Sequence, residues 1–359
     1  MLTMTDIARL SGCSRSTVYA VLNGKSWVSE ETRNRVRQVI RENRWEPDRL
    51  ASGLVGGSTG LIALILKDIL NPFNSRIVEG VHSILQPRRF NTLLLSTMDE
   101  HSRELEAVNI ARSYRTDGII IIPQQVGVDL EHLWRIRQGG EVCVTLGKCP
   151  GLNFPWVELE EARAAREVTE YLITLGHRRI GLLKGPSTSL SALEREAGFR
   201  EGLVVHGVAA DPSHIVSAGA DLTSGYRAAA ELLSRSSRPT ALICYNDLAA
   251  AGVYRAARER GLRIPGDLSV TGFDDIELAE VFGPPLTTVK QPCLAMGARM
   301  AELVLEELER KKGGVGPREP GNRFRGELVV RGSTAPPRKE NLPGGGNRQR
   351  TGPSGPAER

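Results

Sequence analysis

The five cysteines of this sequence (Cys13, Cys143, Cys149, Cys244 and Cys293) form no Cys-x-x-Cys pair and no cluster with metal-ligand spacing. That excludes a disulfide scaffold and a thiolate metal site, and leaves reduced thiols that mostly pack. The six histidines are scattered, and no nucleophile, base or metal set stands out. No Gly-x-Gly-x-x-Gly follows a strand, and there is no P-loop. No apolar run reaches the ~18 residues that a membrane span needs. No basic segment leads into an apolar one at the start, so export is not expected and the chain reads as cytoplasmic. A cofactor, a metal, an enzymatic activity and a membrane partner are therefore all unexpected.

What is present is length, apolar content and basic charge. At 359 residues and 40% apolar content, the chain exceeds one average domain and can bury a sizeable core. A net charge of +5 and a pI near 9.0 suit a polyanionic partner. Within residues 1–59, nine Lys and Arg stand against six Asp and Glu. The surplus is modest, so phosphate contacts would supply affinity and base contacts the specificity.

The first 54 residues carry the sharpest signal. Ile7, Ala8 and Leu10 give a first short helix an apolar face, and Gly12 marks a tight turn. Ser14 is a good N-cap for a second helix. Val18, Val21 and Leu22 are spaced to face the first helix, and Arg15, Ser16 and Tyr19 point outward. This is the layout of a helix-turn-helix, whose second helix enters the major groove by its N-terminal end. Ser29 caps a third helix opened by Glu30 and Glu31, with Val36, Val39 and Ile40 as its apolar stripe. Pro47 ends the stretch after it, and Asp48 can cap a very short helix over 49–54. Such a helix does not hold alone in water, and Gly53 weakens it further, so it orders only when something holds it.

From Gly60 the chain alternates strands and helices. Apolar runs at 61–66, 92–96, 118–123, 142–146, 180–183, 215–216, 241–245 and 269–273 read as buried strands. Between them lie helical segments at 77–85, 103–114, 164–175, 193–206, 224–234 and 248–261, with a last helix at 297–311. The alternation predicts two doubly wound parallel sheets, with ligands in a cleft outside the carboxyl ends of the strands.

The strand-end residues are the candidates for that cleft. Phe73 is placed to stack on a sugar ring or base, or to pack in a loop. Arg195 has a fork of donors for hydroxyls or a carboxylate, or for a helix salt bridge. Asn246-Asp247 and Phe273-Asp274-Asp275 directly follow strands. One Asp of the 274–275 pair serves as a cap or turn former, and the other can accept two hydroxyls of a polyol at once. Arg195 beside Asp274 favours a neutral polyhydroxylated ligand over a strong anion, which Asp274 would repel.

Several motifs together resemble the lac-repressor (LacI/GalR) family over nearly the whole chain. They are Thr17-Val-x-x-Val-Leu-Asn23, Val28-Ser29, Thr32-Arg33, Pro47, the Ala51…Leu54 spacing, Asn71-Pro72-Phe73, His177-Arg178-Arg179, Arg195-x-x-Gly198-Phe199, Gly272-Phe273-Asp274-Asp275, Pro285-Leu-Thr-Thr-Val and Glu327–Thr334. The resemblance implies an N-terminal all-α helix-turn-helix head and hinge helix on a two-lobed, periplasmic-binding-protein-like α/β core. It implies a repressor that binds a near-palindromic double-stranded operator as a homodimer, under control of a small-molecule effector. That effector is expected to be a sugar, with a purine or nucleoside as the alternative; a sugar receptor without DNA function is a weaker one.

The same resemblance divides the chain into a head at 1–47, hinge and linker at 48–59 and a core at 60–334, and the Pro-, Gly- and Arg-rich composition of 335–359 predicts a disordered tail. Lobe 1 would hold 60–158 and 288–318, and lobe 2 would hold 159–287 and 319–334. Ser14, Arg15, Ser16, Thr17, Tyr19, Ala20, Asn23, Arg49 and Leu54 are the expected DNA contacts, with Leu54 wedging into the minor groove. Phe73, Leu146, Arg195, Asn246 and Asp274 are expected to line the effector cleft, with His177 a structural turn residue. Ala20 stands where a larger base-contacting residue is usual, Gly147 where an acid is usual, and Leu159-Glu160 where Asp-Asn is usual.

Overall fold

A computed structural model describes residues 2–22, 24–45, 58–316 and 321–338. The head is three helices, α1 (Met4–Leu10), α2 (Arg15–Leu22) and α3 (Glu30–Glu42). Thr3 and Asp6 close a reciprocal capping box at the start of α1. Ser14 Oγ accepts from the Thr17 amide at 3.1 Å, and Ser29 caps α3. Ile7, Ala8, Val18, Val21, Val36 and Trp45 close the small core. Leu10, expected on the apolar face of α1, is half exposed instead, because Ile7 and Ala8 already fill the contact with α2.

The core has two parallel sheets, and both follow from apolar runs flanked by helices. The first holds β1 (Leu61–Leu66), β2 (Asn91–Ser96), β3 (Gly118–Ile121), β4 (Val142–Leu146), β5 (Trp156–Leu159) and β11 (Gly321–Phe324), in the order β11-β5-β4-β3-β1-β2. Helices α4 (Pro72–Leu85), α5 (His101–Ser113), α6 (Glu131–Gln138) and α12 (Cys293–Lys312) cover its faces. The second holds β6 (Ile180–Lys184), β7 (Ile215–Ser217), β8 (Ala241–Cys244) and β9 (Ser269–Thr271), in the order β7-β6-β8-β9. Its helices are α7 (Glu161–Thr174), α8 (Leu190–Val205), α9 (Leu222–Leu233) and α10 (Asp247–Glu259), followed by the short α11 (Leu278–Val281). β10 (Thr288–Lys290) and β12 (Glu327–Val329) form an antiparallel pair between the lobes.

The chain therefore passes between lobes after Leu159, at 287–290, and between Phe324 and Glu327. The third passage differs from the expected one near 319. β11 pairs with β5 in the first sheet through Gly321↔Trp156 to Phe324↔Leu159, so lobe 1 keeps the chain past 318. The start and end of the core differ as well. The Asp117 carboxylate takes hydrogen bonds from Ser58 Oγ and from the amides of Thr59 and Gly60, which ties the last linker residues to lobe 1. At the other end, residues 335–338 do not leave the core: the Ala335 carbonyl lies 2.9 Å from His177 Nε2, and Arg338 pairs with Asp267 at 2.7 Å.

Candidate functional site

α2 presents its first turn outward. Ser14, Arg15 and Ser16 are exposed, and Thr17 and Tyr19 are half-buried. Ala20 is not on that face. Its side chain is 2% exposed and belongs to the head core, so it has no reach to a base. Asn23, Arg49 and Leu54 lie outside the described residues, as does the expected hinge helix.

Where the carboxyl ends of both sheets face each other lies a cavity of about 490 Å³. Phe73, Leu146, Arg195, Asn246 and Asp274 all line it, so residues more than two hundred positions apart are brought to one cavity. Each has a physical reason to be there. Asn71 caps α4 by accepting from the Phe73 amide, which sets Phe73 at the helix entrance with its ring half-buried. Leu146 ends β4. Asp274 follows β9 with φ of 113°, a left-handed conformation that costs a non-glycine residue free energy and concentrates at functional positions.

Arg195 is held on every side. Its Nε donates to Glu161 at 2.8 Å and its Nη1 to the Tyr245 carbonyl. Its guanidinium lies 3.6 Å from the centre of the Phe273 ring and 4.8 Å from that of Tyr245. A Cβ on Gly198 would run into the Ala162 carbonyl, so glycine there lets α8 close on α7 and brings Arg195 to Glu161. Burial opposes the Arg195 charge, but Glu161, Tyr245 and Asp274 outweigh it and hold the guanidinium protonated.

Asn246 is committed to the protein. Its Oδ1 accepts from the Ala249 amide as the N-cap of α10, and its Nδ2 donates to the Ala220 carbonyl, each at 2.8 Å. Asp274 Oδ1 accepts from Gln291 at 2.7 Å. Burial pushes its carboxyl up to about 7, against the pull of Arg195 and Gln291. Its neighbour Asp275 pairs with Arg331 at 2.7 Å. Asp247, fully buried, accepts from the Ile276 amide and the Thr288 hydroxyl. Burial and the nearby Asp274 raise its carboxyl far above the usual range. His177 is structural, bonded to Thr240, Ser269 and Ala335.

The structure also brings in acids that sequence reasoning missed. Asp68, Asp99, Glu158, Glu161, Glu194 and Asp221 line the cavity beside the expected Asp274, against the cations Lys67 and Arg195. Glu158 is the penultimate residue of β5, and recognising that short strand would have placed it near a strand end. Glu194 sits inside α8 with no signal of its own. Burial, then Glu161 and Glu158, push its carboxyl up to about 7.

Comparison with known proteins matches the same parts. Residues 3–48 fit the family model for bacterial regulatory proteins of the lacI family, and residues 169–334 fit one for a periplasmic binding protein-like domain. A ribose operon repressor from Haemophilus influenzae is 32% identical over 311 residues, covering 86% of this chain and 92% of the relative. A lac repressor dimer bound to operator and the anti-inducer ONPF superposes with a TM-score of 0.80 at 27% identity, covering 93% of this chain and 99% of that one. A transcriptional regulator CelR–cellobiose complex superposes with a TM-score of 0.69 at 29% identity, covering 93% and 100%.

Proposed function

The chain belongs to the lacI family of bacterial regulatory proteins, and from that premise we propose how its parts divide the work. It is a DNA-binding transcriptional repressor, not an enzyme, that acts as a dimer on operator DNA and takes a small-molecule effector in its core. It works in the cytoplasm. Residues 1–47 form the reading head, 48–59 the hinge and linker, and the two lobes the effector domain. Arg15 and Ser16, with Ser14, Thr17 and Tyr19 beside them, meet the major groove, Arg15 by a bidentate contact to guanine. Arg49 and Leu54 act from the hinge, where folding is coupled to binding.

The effector sits in the cavity between the lobes, against Phe73, Leu146, Arg195, Asn246 and Asp274. The observation that carries this reading is the cavity itself: both lobes line it, at the strand ends where α/β folds place ligands. Asp274 disfavours an anion, so a polyhydroxylated ligand of the sugar class fits best. Closing the cleft shifts the lobes and the spacing of the two hinges, and couples to operator affinity by about 1–3 kcal/mol.

A thermal-shift screen against sugars, sugar phosphates and nucleosides tests the reading, because a ligand of the folded state raises the melting temperature. A shift with a sugar that disappears in Asp274→Ala supports it. A shift only with nucleosides moves the effector class. A shift that survives Asp274→Ala places the ligand elsewhere.

A further inference from the structure

We infer that the effector taken by this cleft is a polyhydroxylated amine, whose ammonium group is received by the carboxylates Glu194, Glu158 and Glu161. The inference rests on the reading that the interlobe cavity is the effector site, and it names the ligand's charge.

Three observations carry it. First, seven carboxylates line the cavity against two cations, and one of those cations, Arg195, is already paired with Glu161. Glu158 is compensated from outside the cavity by Arg323 at 2.7 Å. Glu194, half-buried on α8, has no hydrogen-bond or ion-pair partner among the described residues, and the repulsion of Glu161 and Glu158 is only partly offset by the more weakly acting Arg323 and Arg195. An ionised carboxylate taken out of water without a partner is unfavourable, and a ligand cation removes that deficit.

Second, many of the neutral donors in the wall face the protein. Asn246 Nδ2 is given to Ala220, Gln291 Nε2 to Asp274, and Gln125 Nε2 to Lys148. Ser189, Ser191 and Tyr245 form a hydroxyl cluster among themselves. The wall thus offers acceptors and asks the ligand for donors. A hydroxyl donates one proton and leaves the charge uncompensated, whereas an ammonium donates three and cancels it.

Third, Phe73 and Leu146 give the cavity an apolar side on which the carbon face of a sugar ring can rest. A flexible chain of charges alone would leave that side unused.

The test uses matched pairs that differ only by an amine in place of a hydroxyl: glucosamine and glucose, galactosamine and galactose, mannosamine and mannose. Calorimetric titration of the full-length protein is expected to show at least one amine binding tighter than its hydroxyl twin by about tenfold or more, equivalent to about 1.4 kcal/mol. At mildly acidic pH the same binding should release a proton from Glu194, seen as a dependence of the heat on the buffer's ionisation enthalpy. Asp274, also raised to about 7, can release a proton in the same cavity, so Glu194→Gln should narrow the gap between the twins and reduce the proton release rather than remove it. A neutral sugar that binds as well as its amine twin overturns the charge inference and leaves the cleft reading intact. Amine binding that Asp274→Ala does not weaken lies outside the cleft and overturns both. No binding by either series at millimolar concentration overturns the amine inference, while the broader ligand screen still decides the cleft.

Discussion

Glu194 is a carboxylate without an ion-pair partner among the described residues, and that makes it a pH-dependent weakness of the unliganded protein. Glu158 on β5 and Glu161 on α7 repel it, Arg323 and Arg195 only partly offset them, and burial adds the largest share. Its pKa rises from an ordinary 4.5 to about 7 in the folded chain. Folding therefore favours the protonated form, and this contribution to stability is present at low pH and lost as pH rises between those two values. Glu194→Gln should melt at a higher temperature than the parent at pH above 7, with the difference shrinking towards zero as pH falls below 4.5. Melting curves across that range check it; a difference that stays constant with pH would show that charge is not the cause.

Arg195 illustrates how far a single residue's role was legible. Its sequence position left two readings, a ligand fork or a helix salt bridge. The structure gives a buried pair with Glu161 between two aromatic rings, in a wall of the cavity. The salt bridge is what the structure carries, and the same residue also lines the cavity while these donors serve the protein. Asn246 is similar, visible as a strand-end residue but with both ends of its amide committed to a cap and a loop. Nothing in one sequence says which way an amide points.

At the scale of elements, the central strands were legible because they are buried on both faces and read as unbroken apolar runs, as in Leu61–Leu66. β5, β10, β11 and β12 were missed for the opposite reason. They are three or four residues long, and β11 reads Gly-Asn-Arg-Phe on an exposed sheet edge, so neither length nor hydrophobicity marks them. β11 is what moved the third lobe passage from 319 to beyond 324. Ala20 occupies a motif position that implies a base contact, yet its side chain is buried in the head core. Its burial depends on α2 packing against α1 and α3, a tertiary fact.

Helix contact also depends on glycine at one point that can be tested. α7 and α8 approach so closely at Gly198 that any Cβ meets backbone. Gly198→Ala is expected to lower stability by about 1–3 kcal/mol through overpacking, and to weaken effector binding as Arg195 is pushed from Glu161. Urea midpoints measure the first effect and ligand titration the second. Unchanged stability would mean that the helices separate without cost.

Across the whole molecule, affinity and specificity for DNA have different origins. In the reading proposed above, the small positive surplus of the head supplies a salt-dependent attraction to any duplex, and Leu54 supplies a preference for the operator. Leu54→Ala should therefore cut binding to the operator and leave salt-driven binding to random duplex largely intact. Fluorescence titration with both duplexes at matched salt decides it; unchanged operator affinity would remove the wedge from the account.

The late return of the chain to lobe 1 has a further consequence, in the order of synthesis. α12 packs against lobe 1, and β11 forms the edge of its sheet, yet both come from the last fifth of the chain. The head, by contrast, is finished by Trp45. At about 5–20 residues per second, a ribosome would release the head roughly 15 to 55 seconds before β11. During that interval the growing chain carries a formed reading head on a first lobe that lacks its last strand. Gln291 and Met296 of the cavity wall are also still to come when the head is complete, so the effector's site is finished well after the part it governs.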